Sequence, residues 1–555
     1  MKAILKFTSI FLFLFCVGIS LGLKHQSNDD FDMILIAKGG DLFNSSAFIY
    51  YSSIVLGWIY KLLYQFFPKI EWYNFIYLFL ISLSFSKLFY LVLRFYKGSY
   101  QLLIFYFILF FWIFLGVFLT DVQFTLAAGL LTGNAFLSLI IVYDKQRSIS
   151  INFYIMILIE ILFGSFYRFQ MFELISIYFI ILFITIRISK GEFRLFFKNY
   201  LHVGVVISLI LIPLIFGKIE NALLSSEQKK FVNLHKAGAQ FGDFLILQKI
   251  SNKESLLKKV GWQKNDLDIM RTWSYPDFKE YNESTLNYII NHANKDKFYS
   301  FDYLLKNTKY YINDTIYVNN TFILIILILI FCGFYSTDKN IWYYISVLIS
   351  LFIIIDLFLS LFFKAPFQNV LFPMYSFILL FILIQSLENI TFKINNRIIY
   401  VVGILFFIIT IQNFRIKHNS ELNEYINIKN IDDEILSLGV TEIYATPMTY
   451  KGSHHYRGIL SLNEQRLKVF YCGLFSYHPD NIAFKSHWKK DQLLENLRIG
   501  INFYFPDEKY NGMLFFEDAF KVVLTRNFKI SISSKIVVLK SKNGFILNLK
   551  LNSKL

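Results

Sequence analysis

The sequence predicts an all-α polytopic membrane protein of about eleven transmembrane helices, followed by a small soluble domain. The 555-residue chain is 55% hydrophobic and 19% aromatic, with a mean hydropathy of +0.48, whereas soluble domains are roughly 45–50% apolar. The apolar residues form blocks of about 17–22 residues, and a helix of that length crosses a hydrocarbon core of about 30 Å. The blocks lack alternation between polar and apolar residues, which indicates helices whose backbone polar groups are paired internally.

Eleven blocks are interpreted as spanning helices. They lie at 5–23, 73–93, 101–120, 122–143, 150–166, 170–187, 200–217, 321–336, 341–362, 370–387 and 398–414. The first block resembles a signal peptide, but no small-x-small cleavage site follows it, so we expect a retained anchor.

The segment from Phe48 to Phe67 is also long enough to span. Ser53, Gly57, Lys61 and Gln65 recur along it at every fourth position. Such a stripe suits a helix that lies in the membrane interface or packs on a wet cavity.

Positive charges decide the topology. If 48–67 does not cross, most Lys and Arg residues of the short segments are cytoplasmic, and the short outer turns keep only Arg168 and Lys364. If it crosses, the positive-inside rule is inverted after Lys6. We therefore expect a multi-pass protein of the cytoplasmic (inner) membrane with its N-terminus inside. Its parts are a transmembrane domain at 1–415, with a first outer loop at 24–72 and a large outer loop at 218–320, and an extracytoplasmic domain at 416–555.

The C-terminal domain is predicted to be an α/β or α+β module. Short apolar runs at Glu442–Ala445, Lys468–Tyr471, Ile501–Phe505, Lys521–Leu524 and Lys535–Leu539 are typical of strands. Helical patterns at 430–438 and 490–498 alternate with the early runs.

The net charge of +16 favours contact with anionic lipid headgroups over nucleic acid, because much of the excess lies in short loops between apolar blocks. Three cysteines, Cys16, Cys332 and Cys472, offer neither a disulfide framework nor metal-ligand spacing.

An acidic cluster opens the first outer loop, where Asp29, Asp30 and Asp32 follow the anchor helix directly. One interpretation is structural: Ser27 or Asn28 caps a short helix, and carboxylates in its first turn complement the helix dipole. The other is chemical. Adjacent carboxylates beside a bilayer are unfavourable unless one is neutral or both meet a cation, which suits a general base or a metal-binding acid.

Arg168 and Lys364 are candidate ligands for a phosphate group. Arg168 is either a rim arginine that snorkels to the interface or a planar fork for phosphate oxygens, and Lys364 offers a point charge for the same group. The intramembrane acids Glu160, Glu173 and Asp356 are either counter-ions for such cations or polar groups packed inside the bundle.

The large outer loop contains a second candidate region, 266–277, in which Arg271, Trp273 and Asp277 combine aromatic and charged side chains. Rings that stack on sugars and charges that bind hydroxyls form such surfaces, and so does ordinary loop packing. His454 and His455 have no third metal ligand nearby and are interpreted as structural.

The run from Asp29 through Asp32 to Gly39-Gly40, with Ile54–Tyr60, Phe66-Phe67-Pro68 and Trp72-Tyr73 after it, resembles the first outer loop of GT-C glycosyltransferases. In the aminoarabinose and protein O-mannosyl transferases of that family, an acidic first-loop helix also ends at a small residue followed by Gly. The Glu-Lys-Pro-Pro run of the aminoarabinose transferases is missing here.

The resemblance implies that Asp29 or Asp30 activates the acceptor or binds a divalent metal, and that Arg168 holds the donor phosphate. It implies a polyprenyl-phosphate-linked sugar as donor, a cell-surface glycan, lipid or protein as acceptor, membrane lipid as surroundings and no other cofactor. The alternatives are a polysaccharide polymerase, which usually relies on arginines in two outer loops, and a lipid-linked glycan flippase without catalysis. A flippase favours inverted repeats, and no repeat is visible in the sequence.

Overall fold

The structure is a computed structural model. It describes residues 2–21, 23, 28–39, 44–95, 107, 111, 114, 122–146, 151–189, 200–243, 254–271, 281–294, 342, 346, 350, 408, 412, 415, 426, 429–445, 468–471, 490–505, 521–522, 532–539 and 545–552.

The first 300 residues are helical wherever the structure describes regular elements. In chain order the helices are α1 (Lys2–Leu21), α2 (Asn28–Lys38), α3 (Ile54–Phe66), α4 (Trp72–Phe95), α5 (Phe124–Gln146), α6 (Ile151–Tyr167), α7 (Phe169–Ser189), α8 (Tyr200–Leu223), α9 (Ser226–Asp243), α10 (Glu254–Lys259), α11 (Lys264–Arg271) and α12 (Glu283–Asn294).

Predicted spans in this half coincide with α1 and α4 to α8. Of the described helical segments, Trp72–Phe95, Phe124–Tyr143 and Gly204–Leu223 are long and apolar enough to cross a membrane by length and composition, while α1, α6 and α7 contain shorter apolar stretches. Spans 101–120, 321–336, 341–362, 370–387 and 398–414 lie outside the described residues apart from single positions. The total of eleven therefore stays a prediction.

The centre of the bundle is α5, which packs against α4, α6 and α7. Small residues let its backbone approach α6 closely: a Cβ added at Gly164 would lie 2.3 Å from Thr132 Oγ1 and 3.1 Å from the Ala128 carbonyl oxygen. Such close approach of helices is the usual basis of association in membranes, where lipid and side chains are equally apolar.

One end of the bundle gathers the features predicted to face outwards. The anchor α1 runs antiparallel to α4, because Phe15 packs on Phe75 and Phe11 on Phe79. The end of α1, the starts of α4 and α5 and the α6–α7 turn therefore lie together. We call this region the site end of the bundle.

Helix α3 lies across the site end and does not run parallel to the spanning helices. The amide of Ser53, at its start, donates to the Phe166 carbonyl at 2.7 Å, and Tyr60, in its middle, bonds Tyr167. Near its end, Tyr64 accepts a hydrogen bond from the amide of Tyr73 in the first turn of α4. Both ends of α3 therefore contact the same end of the bundle, which is the path expected of a helix that does not cross. That α3 does not cross the membrane stays a prediction.

The polar stripe of α3 has separate roles rather than one wet face. Ser53 caps the helix, with its Oγ accepting from the Val55 amide at 3.1 Å. Gly57 permits contact with the preceding segment, since a Cβ there would lie 1.9 Å from the Ala47 carbonyl oxygen. Lys61 lies over the ring of Trp58, whereas Gln65 is exposed.

The second outer loop contributes helices α9 to α12, which form a small separate core. Trp262 is buried edge-on to Phe241 and Tyr281. Asp266 is fully buried and accepts hydrogen bonds from the Gln263 amide at 2.6 Å and the Tyr281 hydroxyl at 2.5 Å. Asp266 thus stabilises the start of α11 and the packing of the loop.

The described strands of the C-terminal region form one mixed sheet. They are β1 (Glu442–Ala445), β2 (Lys468–Tyr471), β3 (Ile501–Phe505), β4 (Ile532–Val538) and β5 (Phe545–Leu551) in the order β2-β1-β3-β5-β4. Strand β1 pairs in parallel with β2 and β3, whereas β5 pairs antiparallel with β3 and β4.

Helices at 429–437 and Lys490–Ile499 agree with the predicted helical stretches. The predicted strand at Lys521–Leu524 is wrong at its first two residues, which are helical. Strand β5 was not predicted.

Candidate functional site

Asp30 is enclosed at the site end. Its side chain is fully buried, and its Oδ1 accepts hydrogen bonds from the Tyr73 hydroxyl at 2.5 Å and the Phe124 amide at 3.0 Å. Phe124 is the first residue of α5, so its amide has no partner inside its own helix, and a carboxylate there complements the positive end of the helix dipole. Asp30 therefore does serve a helix start, but the helix is α5 rather than its own.

A group of tyrosines surrounds Asp30. The Tyr60 hydroxyl donates to the Tyr167 hydroxyl at 3.1 Å, and the Tyr60 and Tyr73 rings lie 5.3 Å apart. The Asp30 charge acts on the phenols of Tyr60 and Tyr167 as well as on Tyr73. Asp30 thus joins α2, α3, α4, α5 and α6 at one point.

Arg168 lies beside the same first turn of α5. It occupies the turn between α6 and α7, and its Nη1 donates to Thr125 Oγ1 at 2.8 Å. Its guanidinium lies over the ring of Phe124, 5.0 Å from the centroid, and over Tyr51 at 5.2 Å. Arg168 and Asp30 therefore hold consecutive residues of α5, but Arg168 is only half-buried.

A strained segment brings Tyr50 and Tyr51 to the site. Tyr51 has φ +74°, a conformation that costs an L-residue roughly 1–2 kcal/mol. Its ring stacks on Phe124 at 5.3 Å. Burial raises the pKa of Tyr50, while the charge of Arg168 lowers it and that of Asp29 raises it. Asp29 and Arg168 are therefore both electrostatic neighbours of Tyr50.

Asp29 and Asp32 lie one turn apart on α2, so they share a face of the helix. Asp29 is half-buried and Asp32 is buried. Burial raises the pKa of the Asp32 carboxyl well above its ordinary value, and the charge of Asp29 raises it further. These effects favour the neutral form of the Asp32 carboxyl.

Helix α9 of the second outer loop closes over Tyr50. The His235 ring lies 3.9 Å from the Tyr50 ring and Phe231 lies 5.5 Å from it, measured between centroids. His235 is buried, and burial lowers its pKa to about 3. A neutral imidazole therefore packs directly against the Tyr50 ring.

A second charged group, which the sequence analysis did not identify, lies at the C-terminal end of α2. Lys38 Nζ is 3.8 Å from the buried Glu71 Oε2 and lies over the Tyr64 ring. The Tyr64 hydroxyl donates to Glu71 Oε1. Glu71 immediately precedes α4. In the sequence, the feature that could have identified it is an acidic residue at the start of a spanning helix.

Several residues predicted for the site are not placed beside Asp30 and Arg168 by the described part of the structure. Glu160 pairs with Lys87 inside the bundle rather than serving as the counter-ion of Arg168. Arg271 ends α11, and nothing is described beyond its backbone. Trp273, Asp277, Lys364, Asp356, His454 and His455 lie outside the described residues.

The described residues contain no group of three or more His, Cys, Asp or Glu side chains that could hold a metal ion. The expectation of a divalent metal stays a prediction.

No protein-family model matches the chain, and no curated protein sequence matches it. Two solved structures are similar to it: ArnT from Cupriavidus metallidurans bound to undecaprenyl phosphate, with a TM-score of 0.37, and the same protein in the apo state, with a TM-score of 0.38. Each shares 10% sequence identity and covers 98% of this chain and 97% of its own.

ArnT is a GT-C polyprenyl-phosphate-dependent glycosyltransferase.

Proposed function

We propose that the protein is a membrane glycosyltransferase. It moves a sugar from a polyprenyl-phosphate-linked donor to a cell-surface glycan, lipid or protein acceptor at the outer face of the cytoplasmic membrane. The observation that carries the proposal is that Asp30 and Arg168 hold consecutive residues in the first turn of α5, while Asp29, which neighbours Asp30, and Arg168 both act electrostatically on Tyr50. Asp30 and Arg168 come from two segments that lie far apart in the sequence, and they meet where spanning helices end.

Transfer from a lipid phosphate needs a base for the acceptor and a cation for the leaving group. The acceptor hydroxyl oxygen attacks the anomeric carbon and forms the new glycosidic bond. The bond from that carbon to the donor phosphate oxygen breaks, and its electron pair leaves with the polyprenyl phosphate. The acceptor proton passes to Asp29, and the single displacement inverts the anomeric carbon.

The two neighbouring acids have different roles in this proposal. Asp29 is half-buried and, like Arg168, acts electrostatically on Tyr50, so we assign it the role of the base. Asp30 is enclosed by Tyr73 and the start of α5, so it fixes the position of α2. Asp32, neutral and beside Asp29, can share a proton with it.

Arg168 is the proposed phosphate ligand, because a guanidinium presents a planar pair of donors to phosphate oxygens. The ring faces of Tyr51 and Phe124 hold it in place while leaving it half-exposed. Lys364 remains a proposed second cation. Arg271, Trp273 and Asp277 remain proposed contacts to the sugar or acceptor, and Asp32 a proposed contact to the acceptor.

The lipid tail of the donor would stay in the bilayer beside the site. Helix α3 carries the exposed apolar side chains Trp58, Leu62 and Phe66 one turn apart and lies across the site end. This arrangement suits a helix in the outer interface. The N-terminus is then inside the cell and the 416–555 domain outside, where it would meet acceptor or partner.

The experiment measures release of polyprenyl phosphate. Membranes of a deletion strain complemented with the chain are solubilised, and the full-length protein is purified. It is mixed with a lipid extract of the deletion strain that contains polyprenyl-linked sugars, and with the cell-surface glycans, lipids and proteins of that strain as acceptors. Mass spectrometry follows free polyprenyl phosphate. We expect release with the wild-type chain and its loss with Arg168→Lys, because a point charge replaces a two-pronged donor.

The matched control is Arg94→Lys, the same exchange at an exposed arginine near the opposite end of α4. No release by the wild-type chain above the deletion strain would contradict the proposal, and translocation of intact lipid-linked glycan would favour the flippase. The polymerase would be favoured if the deletion strain makes a shorter surface glycan that still contains its first sugar.

A further inference from the structure

A second polar cluster lies inside the bundle, away from the candidate site. The Lys87 ammonium donates a hydrogen bond to Glu160 Oε2, and Asn134 Nδ2 donates to Ser84 Oγ, one turn before Lys87 on α4, at 2.9 Å. All four residues are buried. We call these four residues the inner network.

The inner network joins the same three helices that build the site. Lys87 and Ser84 belong to α4, Asn134 to α5 and Glu160 to α6. At the site end, α4 supplies the Tyr73 hydroxyl to Asp30, α5 supplies the Phe124 amide and Thr125, and α6 leads into Arg168.

The inner network lies well below the site. At a rise of about 1.5 Å per residue, Ser84, Asn134 and Glu160 lie on the order of 10–20 Å along their helices from the residues of the site end. No residue of the inner network contributes a described contact to Asp29, Asp30 or Arg168, so any effect on the site has to act through the three helices.

Stability does not explain the ion pair. Charges at membrane depth are unfavourable, and buried ion pairs are often replaced by apolar residues without loss of stability. The network is also incompletely paired, since Glu160 Oε1 and Asn134 Oδ1 have no hydrogen-bond partner among the described groups. What an ion pair supplies better than apolar contacts is a defined register between two helices.

The register of α4 relative to α6 along the helix axes affects the geometry of the site. Each packs extensively on α5, and apolar helix surfaces can slide by small amounts at little cost. The acid side of the site depends on α4 through Tyr73, and the cation side is carried by the end of α6. A shift of one helix along the other would change the spacing between Asp29 and Arg168.

We infer that Lys87 and Glu160 are positioning residues, whose ion pair holds α4 and α6 in the register that sets the spacing of acids and cation at the site. The activity readout rests on the proposed function. The distance readout does not.

The main variant is K87M/E160L, which removes both charges and keeps apolar side chains of similar length. The second is K87E/E160K, which restores the pair with its direction reversed. The control is Tyr154→Phe, which removes the hydrogen bond between the Tyr154 hydroxyl and Ser208 Oγ, 2.7 Å long, linking α6 to α8 outside the inner network.

Distances are measured between spin labels at Lys69→Cys and Gln170→Cys, two exposed positions on either side of the site, in a cysteine-free full-length protein in nanodiscs. We expect a narrow distribution in the unmodified chain and in Tyr154→Phe, a broader or shifted one in K87M/E160L, and recovery in K87E/E160K. The melting midpoint of K87M/E160L should not fall, which separates positioning from stability.

Release kinetics give the second readout. In K87M/E160L we expect kcat to fall by about 10²-fold, since small misplacements of reacting groups have effects of that size, with KM for the lipid extract little changed. K87E/E160K should regain most of kcat.

Wild-type distances together with wild-type kcat in K87M/E160L would overturn the inference. If that variant does not fold, K87E/E160K decides: wild-type distances support positioning, and altered distances in a folded protein overturn it. If no chain releases polyprenyl phosphate, the proposed function fails, and the distance measurement still decides the role of the pair.

Discussion

Replacing Asp29 and Asp30 separately by Asn should distinguish the proposed catalytic role of Asp29 from the structural role of Asp30. Asn keeps the size and one acceptor oxygen of Asp and removes the charge. Asp30 accepts hydrogen bonds from Tyr73 and from Phe124 with the same oxygen. A hydrogen bond to a charged group contributes roughly 1.5–3 kcal/mol and a neutral one roughly 0.5–1.5 kcal/mol. Asp30→Asn should therefore destabilise the fold by about 2–3 kcal/mol.

Asp29→Asn should have the opposite profile. Asp29 is half-buried, whereas Asp30 is enclosed, so the melting midpoint of Asp29→Asn should stay nearer to that of the wild-type chain. Removing a general base lowers the rate by roughly 10²–10⁴-fold, and release of polyprenyl phosphate should fall by that factor.

Both quantities are measured on one preparation, with melting followed by tryptophan fluorescence and release by mass spectrometry. Asp433→Asn is the control, because Asp433 is exposed in the C-terminal region. The reasoning would be refuted if Asp30→Asn melts normally but releases no polyprenyl phosphate while Asp29→Asn is fully active. That result would reverse the roles of the two residues.

Three further predictions concern pH and topology. The pKa of Asp32 is raised in the folded state, so the folded protein retains a proton there that the unfolded chain loses from about pH 4. The melting midpoint should therefore decline as the pH rises from about 4 through the folded pKa, and this decline should be smaller in Asp32→Asn. His235 has the reverse sign: its pKa of about 3 lies below the unfolded value near 6.5, so acidification from about pH 6.5 towards 3 should destabilise the protein, and His235→Phe should blunt that loss. Cysteines at the exposed positions Asn44 and Lys69, on either side of α3, should both react with an impermeant thiol reagent added to intact cells whose native cysteines are replaced; reaction of only one would mean that α3 crosses.

The sequence contained enough information for the helices and for the path of α3. Long apolar blocks determine α4, α5 and α8 because little else can satisfy a backbone in lipid, and the positive charges predict that α3 does not cross. In the sheet, the parallel strands β1, β2 and β3 were apparent as short apolar runs. Strand β5, Phe545–Leu551, alternates apolar residues with Asn and Lys, and its half-buried pattern was missed.

The internal contacts of the site could not be predicted in the same way. Asp29 and Asp30 are adjacent, yet successive residues of a helix point about 100° apart, and sequence does not tell which of them faces inwards. Lys87 was hidden within an apolar block, so Glu160 was considered as a partner for Arg168. Such pairings depend on the rotation of each helix about its axis, which is set by packing against neighbours far away in the sequence.

The distribution of partners explains why phosphate binding is expected at Arg168. Asp30 is enclosed, and its Oδ1 accepts hydrogen bonds from the Tyr73 hydroxyl and the Phe124 amide. Arg168 makes one described hydrogen bond, to Thr125, while its guanidinium remains half-exposed. A cation that is held in position by the protein but incompletely neutralised is the state in which a phosphate can bind.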